Sequence, residues 1–238
     1  HGSYPLIITE DRWVAQKEMM QKRLLSHLEI FFPIYARNCE VRRIEKAEAA
    51  AFLSACHSYG DAACRHRYGL YLKRHTGHIA DGDSVSAYAP GTLVAVATFS
   101  NARKWIKDGK EIRSYEWTRY ASLPDLRVSG GMGKLLKAFI KEVQPDDIMS
   151  YADLEWSEGE VYERLGFEAE AEKEPVTFTI DPQTWERKAI RRSPVKPGMT
   201  EEKPGMTEGD YVIPDLIGDL FFRNFGSRKF RLKLTDYK

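Results

Sequence analysis

The feature that most constrains the fold is a glycine-rich segment placed between an apolar strand and an amphipathic helix. It reads Arg127-Val-Ser-Gly-Gly-Met-Gly133 and runs into Lys134. Glycines at such a junction let backbone N–H groups approach an anion, and the helix N-terminus adds partial positive charge. The segment is not a Walker A loop, because no Gly-Lys-Ser/Thr ends it, and its glycine spacing differs from the Rossmann fingerprint. The alternative interpretation is a tight turn that only packs the helix.

Hydrophobic periodicity predicts strands and helices in alternation on both sides of this segment. Short apolar runs predict strands at 39–44, 68–72, 92–99, 115–122, 148–154 and 176–180. Predicted helices span 47–58, 134–143 and 158–165, and a polar loop or hairpin tip spans 73–86. Alternation of elements of this length indicates an α/β layer architecture.

The two ends of the chain differ from this central pattern. Near the start, Thr9 is a candidate N-cap, and we expect a helix that ends at Pro33 and serves for docking on the core or for binding a partner. Near the end, the hexapeptide Lys-Pro-Gly-Met-Thr-Glu occurs twice in tandem, at 196–201 and 203–208. Its Pro-Gly pairs exclude a coiled coil. We therefore predict an insertion at 194–219, followed by a final strand within 221–234.

Composition excludes several classes of protein. Lys and Arg total 36 against 35 Asp and Glu, so the formal charge of +1 argues against a generic binder of polyanions. No apolar run approaches the roughly 18 residues of a membrane span, and we expect a cytoplasmic protein with no membrane partner. The three cysteines form no CxxC pair and are expected to be reduced, and no histidine group has zinc-site spacing, so no metal is expected. They are Cys39, Cys56 and Cys64.

Two segments together resemble the GNAT superfamily of N-acetyltransferases. The family's Arg/Gln-x-x-Gly-x-Gly/Ala loop opens a helix with a Leu-Leu pair, and its later segment reads Tyr-x-x-Leu-Gly-Phe. The loop pattern is matched by Arg127, Gly130, Leu135 and Leu136, but Met132 stands where the family has Gly or Ala. The later segment is matched by residues 162–167. The resemblance implies an α/β fold with a mixed, mostly antiparallel sheet flanked by helices. It divides the chain into an N-terminal helical extension (1–38), an acetyltransferase-like domain (39–187) and a C-terminal extension (188–238).

A narrower resemblance extends over about residues 40–180. Tyr68-Gly-Leu-Tyr71, Tyr115-Glu116, the Gly-Gly loop and Ser150-Tyr-Ala-Asp153 followed by Trp156 are similar to acetyltransferase-like domains of phage proteins, a branch related to Mom-type proteins that modify adenine in DNA. This branch implies a nucleobase in DNA or RNA as the alternative acceptor.

The GNAT resemblance implies acetyl-CoA as co-substrate and transfer of the acetyl group to an amine, on a small molecule or a macromolecule. A further alternative is a domain that binds CoA or a partner without catalysis. The pyrophosphate of acetyl-CoA would lie on the loop, and a splayed pair of strands would admit the pantetheine arm. The implied cofactor-binding residues are Arg127, Val128, Ser129, Gly130, Gly131, Met132, Gly133 and Lys134.

The resemblance also implies roles for titratable residues. Tyr162 matches the position of the general acid that protonates the leaving thiolate. Asp153 and Glu116 are the candidates for the general base, with His57 as a further candidate. Basic clusters at 65–67, 73–75 and 103–104 are either a solvated face, a contact for nucleic acid or a contact for the CoA 3′-phosphate. The acceptor and the oligomeric state stay open.

Overall fold

The computed structural model describes residues 6–79, 85–190 and 220–237. The helices are α1 (Glu10–Ala15), α2 (Lys17–His27), α3 (Lys46–Cys56), α4 (Gly131–Val143) and α5 (Glu160–Arg164), with a short 3₁₀ turn at Ala36–Asn38. The strands of the first half are β1 (Phe32–Tyr35), β2 (Cys39–Arg43), β3 (His66–Leu72), β4 (Thr76–Ile79), β5 (Val85–Tyr88), β6 (Leu93–Phe99) and β7 (Arg103–Lys107). The strands of the second half are β8 (Lys110–Ser122), β9 (Leu126–Ser129), β10 (Asp147–Asp153), β11 (Glu168–Lys173), β12 (Thr177–Ile180), β13 (Arg187–Ala189), β14 (Leu220–Arg223) and β15 (Ser227–Lys233).

One large sheet organises the described part of the chain. Its order is β11-β15-β10-β8-β6-β3-β2, and β7 pairs with β8 beside this path. Every pairing in it is antiparallel except that of β8 with β10. The predicted fold class, a mixed and mostly antiparallel sheet flanked by helices, is thereby confirmed.

Alternation along the strands places helices on both faces of the sheet. On β6, Ala95 and Ala97 belong to the larger apolar cluster with Phe139 of α4, whereas Val96 belongs to a smaller cluster with Leu53 of α3. Successive strand side chains point to opposite faces, so α4 and α3 cover opposite sides. The larger cluster is rich in aromatic rings, and those of Phe99 and Phe139 stack with centroids 3.9 Å apart.

The two parallel strands at the centre of the sheet diverge. β8 and β10 pair only where Ser114–Glu116 lies beside Asp147–Met149. Beyond this point β8 continues against β6 and β10 continues against β15, which opens a wedge between them. The register of β8 on β6 also shifts here, so that Thr118 is skipped between the paired residues Trp117 and Arg119.

The last strand, β15, lies inside the large sheet, one place from its edge. β15 pairs with β10 on one side and β11 on the other, and its Phe230 is fully buried. Between β11 and β15 the chain forms a separate sheet of order β13-β12-β14. The predicted insertion at 194–219 lies outside the described residues. Residues after 188 therefore supply a core strand as well as an extension.

The expectation of one N-terminal helix ending at Pro33 is wrong. The helix breaks at Gln16, where φ is −136°, and ends at His27. Phe32 and Pro33 instead belong to β1, which pairs in parallel with β9 just before the glycine-rich loop. Backbone pairing with β9 outweighs the helical periodicity of this short segment. Thr9 makes no capping bond, and its hydroxyl accepts a hydrogen bond from Arg187 Nη2 at 2.7 Å.

Within the described ranges, no helix combines the length and the apolar character that crossing a membrane requires.

Candidate active site

A cavity of about 400 Å³ lies at the wedge between β8 and β10. It runs from the start of α4 to the loop after α3 and to the three-stranded sheet β13-β12-β14. Its walls combine aromatic rings with two carboxylates and one guanidinium among the described residues. The lining residues are His57, Tyr59, Glu116, Trp117, Thr118, Arg119, Tyr120, Met132, Ser150, Tyr151, Asp153, Tyr162, Phe178, Asn224, Gly226 and Ser227. All three residues with predicted catalytic roles are among them.

Tyr162 is held at the wedge from the short helix α5. Its ring stacks on Phe230, with centroids 5.2 Å apart. Ser150 Oγ lies 2.9 Å from the Tyr162 hydroxyl oxygen and 3.1 Å from the carbonyl oxygen of Trp117, so one hydroxyl links Tyr162 to β8 across the wedge. Burial raises the pKa of Tyr162, and the bond from Ser150 offsets this in part. The phenol therefore keeps its proton at neutral pH and can act as a donor.

The two candidate bases occupy different settings in the cavity. Asp153 ends β10, where its Oδ1 accepts the N–H of Glu155 at 3.0 Å. Its Oδ2 is buried and has no hydrogen-bond partner among the described residues. Glu116 lies on β8, and its carboxylate is 3.9 Å from Arg103 Nη2. The Glu116 carboxylate accepts no hydrogen bond from the described residues, so both residues stay candidates for the proton acceptor.

His57 lines the cavity and is a poor base. Burial, followed by the charges of Arg119, Arg23 and Arg12, lowers its pKa to about 3, so the ring is neutral at physiological pH. Its Nδ1 accepts the backbone N–H of Tyr59 at 3.1 Å. A neutral imidazole has one N–H, which must then be on Nε2.

The glycine-rich loop forms a tight entry into α4. Gly130 precedes the helix with φ +76°, a left-handed conformation that favours glycine. A Cβ on Gly131 would lie 2.9 Å from Val128 Cγ1 and 3.0 Å from the Tyr120 hydroxyl, so this position also requires glycine. The first N–H groups of a helix have no partner within it and are available to an anion.

The other loop residues have distinct surroundings. Arg127 is exposed, forms no ion pair with the described carboxylates and lies 5.0 Å from the Phe31 ring centroid. The Val128 side chain is buried in the core, and Ser129 pairs with Tyr35 in the β1–β9 ladder. Arg127 is thus the loop cation left for a phosphate.

Three further positions complete the loop. Met132, the departure from the family pattern, lines the cavity. A Cβ on Gly133 would lie 3.2 Å from Leu165, at the end of α5. Lys134 donates its ammonium to the carbonyl oxygens of Ala36 at 2.8 Å and Cys39 at 2.5 Å. Lys134 therefore fastens the segment after β1 to α4, and its charge is partly occupied.

Sequence reasoning did not identify several residues of the cavity as parts of a site. Among them are Tyr59, Arg119, Phe178 and Asn224. These four residues come from four separate segments of the chain, and no motif joins them. Among the described residues no group of three His, Cys, Asp or Glu side chains is arranged to hold a metal ion.

Comparisons with known proteins give fold-level similarity only. No family model matches the chain, and no curated protein matches its sequence significantly. The fold is similar to spermidine/spermine N-acetyltransferase SpeG from Vibrio cholerae in complex with manganese ions, with a TM-score of 0.44 and 10% identity over 83% of this chain and 94% of that one. It is also similar to a conserved protein of unknown function from Enterococcus faecalis described as a probable N-acyltransferase, with a TM-score of 0.40 and 14% identity over 62% of this chain and 36% of that one. We base no functional conclusion on similarities this low. The relation to Mom-type proteins gains no support here and stays a hypothesis.

Proposed function

We propose that the protein is an N-acetyltransferase of the GNAT type that transfers the acetyl group of acetyl-CoA to an amine. The observation that carries this proposal is the juxtaposition of the glycine-rich start of α4 with a wedge between parallel strands. Met132, in the loop, and Tyr162, the proposed general acid, line the same cavity. An anion-binding turn and an open gap in the sheet are thereby brought together.

The residues present fit acetyl-CoA. The N–H groups at the start of α4 and the unpaired Arg127 suit a pyrophosphate. The wedge leaves strand edges of β8 and β10 that are suited to hydrogen bonds with an extended amide-containing arm. When bound, the thioester supplies an acyl group whose C–S bond breaks as the N–C bond to the amine forms.

Two side chains move the protons of this exchange. Asp153 accepts the proton that the amine loses. Tyr162 donates its hydroxyl proton to the sulfur that leaves as thiolate, and it recovers a proton from solvent through the cavity. Asp153 releases the amine proton to solvent in turn, so both side chains and the charge of the cavity return to their starting state. Glu116 is the alternative acceptor of the amine proton.

Substitution of Tyr162 by phenylalanine tests this assignment. Phenylalanine keeps the ring packed on Phe230 and removes only the hydroxyl. We expect kcat to fall by about 10²–10⁴-fold with acetyl-CoA affinity nearly unchanged. Release of the CoA thiol measures the rate, with slow hydrolysis of acetyl-CoA as the reaction until an acceptor is found.

Tyr68→Phe is the matched control, because that hydroxyl bonds Glu142 at 2.9 Å outside the cavity. Its rate should stay at the parent value. Equal turnover by Tyr162→Phe and the parent would remove Tyr162 from the mechanism. Binding of acetyl-CoA with no turnover by the parent would favour a non-catalytic domain.

A further inference from the structure

Arg119 is a half-buried cation in the cavity that no described carboxylate neutralises through an ion pair. Its Nε donates to the carbonyl oxygen of Gly60 at 3.3 Å, and its Nη1 donates to that of Thr118 at 2.8 Å. Its Nη2 makes no hydrogen bond with the described residues. The charges of Glu116 and Asp61 act favourably on Arg119 without forming an ion pair with it, so its Nη2 is left for a partner that arrives with a ligand.

The side chain is on the opposite face of the sheet from the glycine-rich loop. Arg119 reaches the loop after α3, whereas the next residue, Tyr120, points its hydroxyl at Gly131 on α4. Successive residues of a strand point to opposite faces. The pyrophosphate of acetyl-CoA, on the α4 side, is therefore not the anion that Arg119 is placed to meet.

The surroundings of Arg119 add a second donor and an opposing acceptor. His57 lines the same cavity and is close enough for Arg119 to depress its pKa, and its remaining N–H is on Nε2. Asp153 also lines the cavity, and its buried Oδ2 has no hydrogen-bond partner among the described residues. This part of the cavity thus offers the N–H groups of Arg119 and His57 to an anionic oxygen and the carboxylate of Asp153 to an amine.

We propose that Arg119 and His57 form a carboxylate subsite, and that the amine acceptor is an amino acid type of molecule that carries both an amino group and a carboxylate. This inference rests on the proposed function, whose amine site it extends. A carboxylate fits better than a phosphate monoester, because Arg119 is the one guanidinium among the described lining residues, the imidazole is neutral, and Glu116 and Asp153 would repel a second negative charge. The cavity of about 400 Å³ also has room for a small molecule beside the acetyl donor.

Protein-observed NMR tests the subsite with named probes. Glycine and β-alanine carry the carboxylate, glycinamide and β-alaninamide replace it by an amide, and O-phosphoethanolamine replaces it by a phosphate. The readout is the Arg119 Nε–H resonance of the parent protein, assigned by its loss in Arg119→Lys. We expect at least one of the two amino acids to shift it with a dissociation constant about tenfold to a hundredfold below that of its amide.

Arg119→Gln should abolish the preference for acid over amide, measured on the resonances of the ring N–H of His57. Arg164→Gln, at an exposed guanidinium of α5, is the matched control and should keep the preference. Melting curves of each variant establish that it is folded, and Arg119→Lys, which keeps the charge, should keep part of the preference. Equal binding of acids and amides, tighter binding of O-phosphoethanolamine, or no response of Arg119 to any probe would overturn the carboxylate subsite.

A titration with acetyl-CoA on the same samples separates this inference from the proposed function. Shifts at Gly131–Gly133 without any response of Arg119 to the probes would refute the subsite and leave the acetyltransferase proposal standing. Absence of those shifts would refute the acetyl-CoA site itself, and the carboxylate subsite of an acetyl acceptor would fall with it.

Discussion

The imidazole of His57 stays neutral inside a group of three guanidinium groups. Burial and the charges of Arg119, Arg23 and Arg12 lower its pKa from 6.5 to about 3. The unfolded chain takes up a proton on this residue as the pH falls below 6.5, and the folded chain does not do so until about pH 3. The free energy of unfolding therefore decreases as the pH is lowered from 6.5 to about 3.

Urea unfolding at pH 6.5 and pH 4.5 measures this effect. The parent should lose more stability between the two values than His57→Gln does, by up to about 1.4 kcal/mol for each pH unit. His27→Gln, at an exposed position, should lose as much as the parent. An identical loss in His57→Gln and the parent would mean that the ring is protonated in the folded protein.

At the scale of residues, the sequence could identify the positions that belong to a motif. Tyr162, Asp153 and Glu116 were predicted as catalytic, and all three line the cavity. Arg119 and Tyr59 could not be found in this way, because they meet only when the loop after α3 folds against β8. Lys134 was predicted to bind the cofactor, a role that stays untested, and its bonds to two carbonyl oxygens depend on the unforeseen strand β1.

At the scale of elements, Arg187 ties three parts of the chain together. Its guanidinium bonds Asp11 of α1 and lies 3.0 Å from Glu155, in the loop after β10. It also stacks on Phe222 of β14, 3.9 Å from the ring centroid. Burial alone would raise the pKa of Asp11, but the bonds and charge of Arg187 lower it, whereas burial raises the pKa of Glu155 despite the same cation.

Arg187→Met should destabilise the fold by about 3–5 kcal/mol, because it leaves the buried carboxylate of Asp11 without its cation and leaves Glu155 with only Arg12, 3.9 Å away. Chemical denaturation measures the loss. Lys188→Met, at the exposed neighbouring position, should change stability little. Adding Asp11→Asn to Arg187→Met should restore part of the stability, and no recovery would argue against uncompensated charge as the cause.

The sequence identified elements whose apolar residues are periodic and missed those that depend on pairing. α4 and β6 were predicted within three residues of their ends, since each buries an apolar face. β11 reads Glu-Ala-Glu-Ala-Glu-Lys and is exposed throughout, so nothing in its local pattern indicates a strand. It forms because β15 offers a backbone edge to pair with. The paired residues Lys173 of β11 and Ser227 of β15 are 54 positions apart in the sequence.

At the scale of the whole molecule, one sheet brings the glycine-rich start of α4 and the side chain of Arg119 to a common cavity. β8 supplies residues to both faces, and the wedge beside β10 connects them. The central claim is that this cavity binds acetyl-CoA through the start of α4. Two glycines in the left-handed region provide a matched pair of variants, Gly130 with φ +76° and Gly91 with φ +84°.

Isothermal titration calorimetry with acetyl-CoA tests that claim most directly. Gly130→Asp and Gly91→Asp impose the same kind of backbone strain, and neither Cβ would meet an atom closer than 3.7 Å. Only the first places a carboxylate where the N–H groups of α4 face the ligand. We expect the parent and Gly91→Asp to bind acetyl-CoA and Gly130→Asp to bind it at least about tenfold more weakly. Absence of binding by the parent, or equal binding by Gly130→Asp, would contradict it.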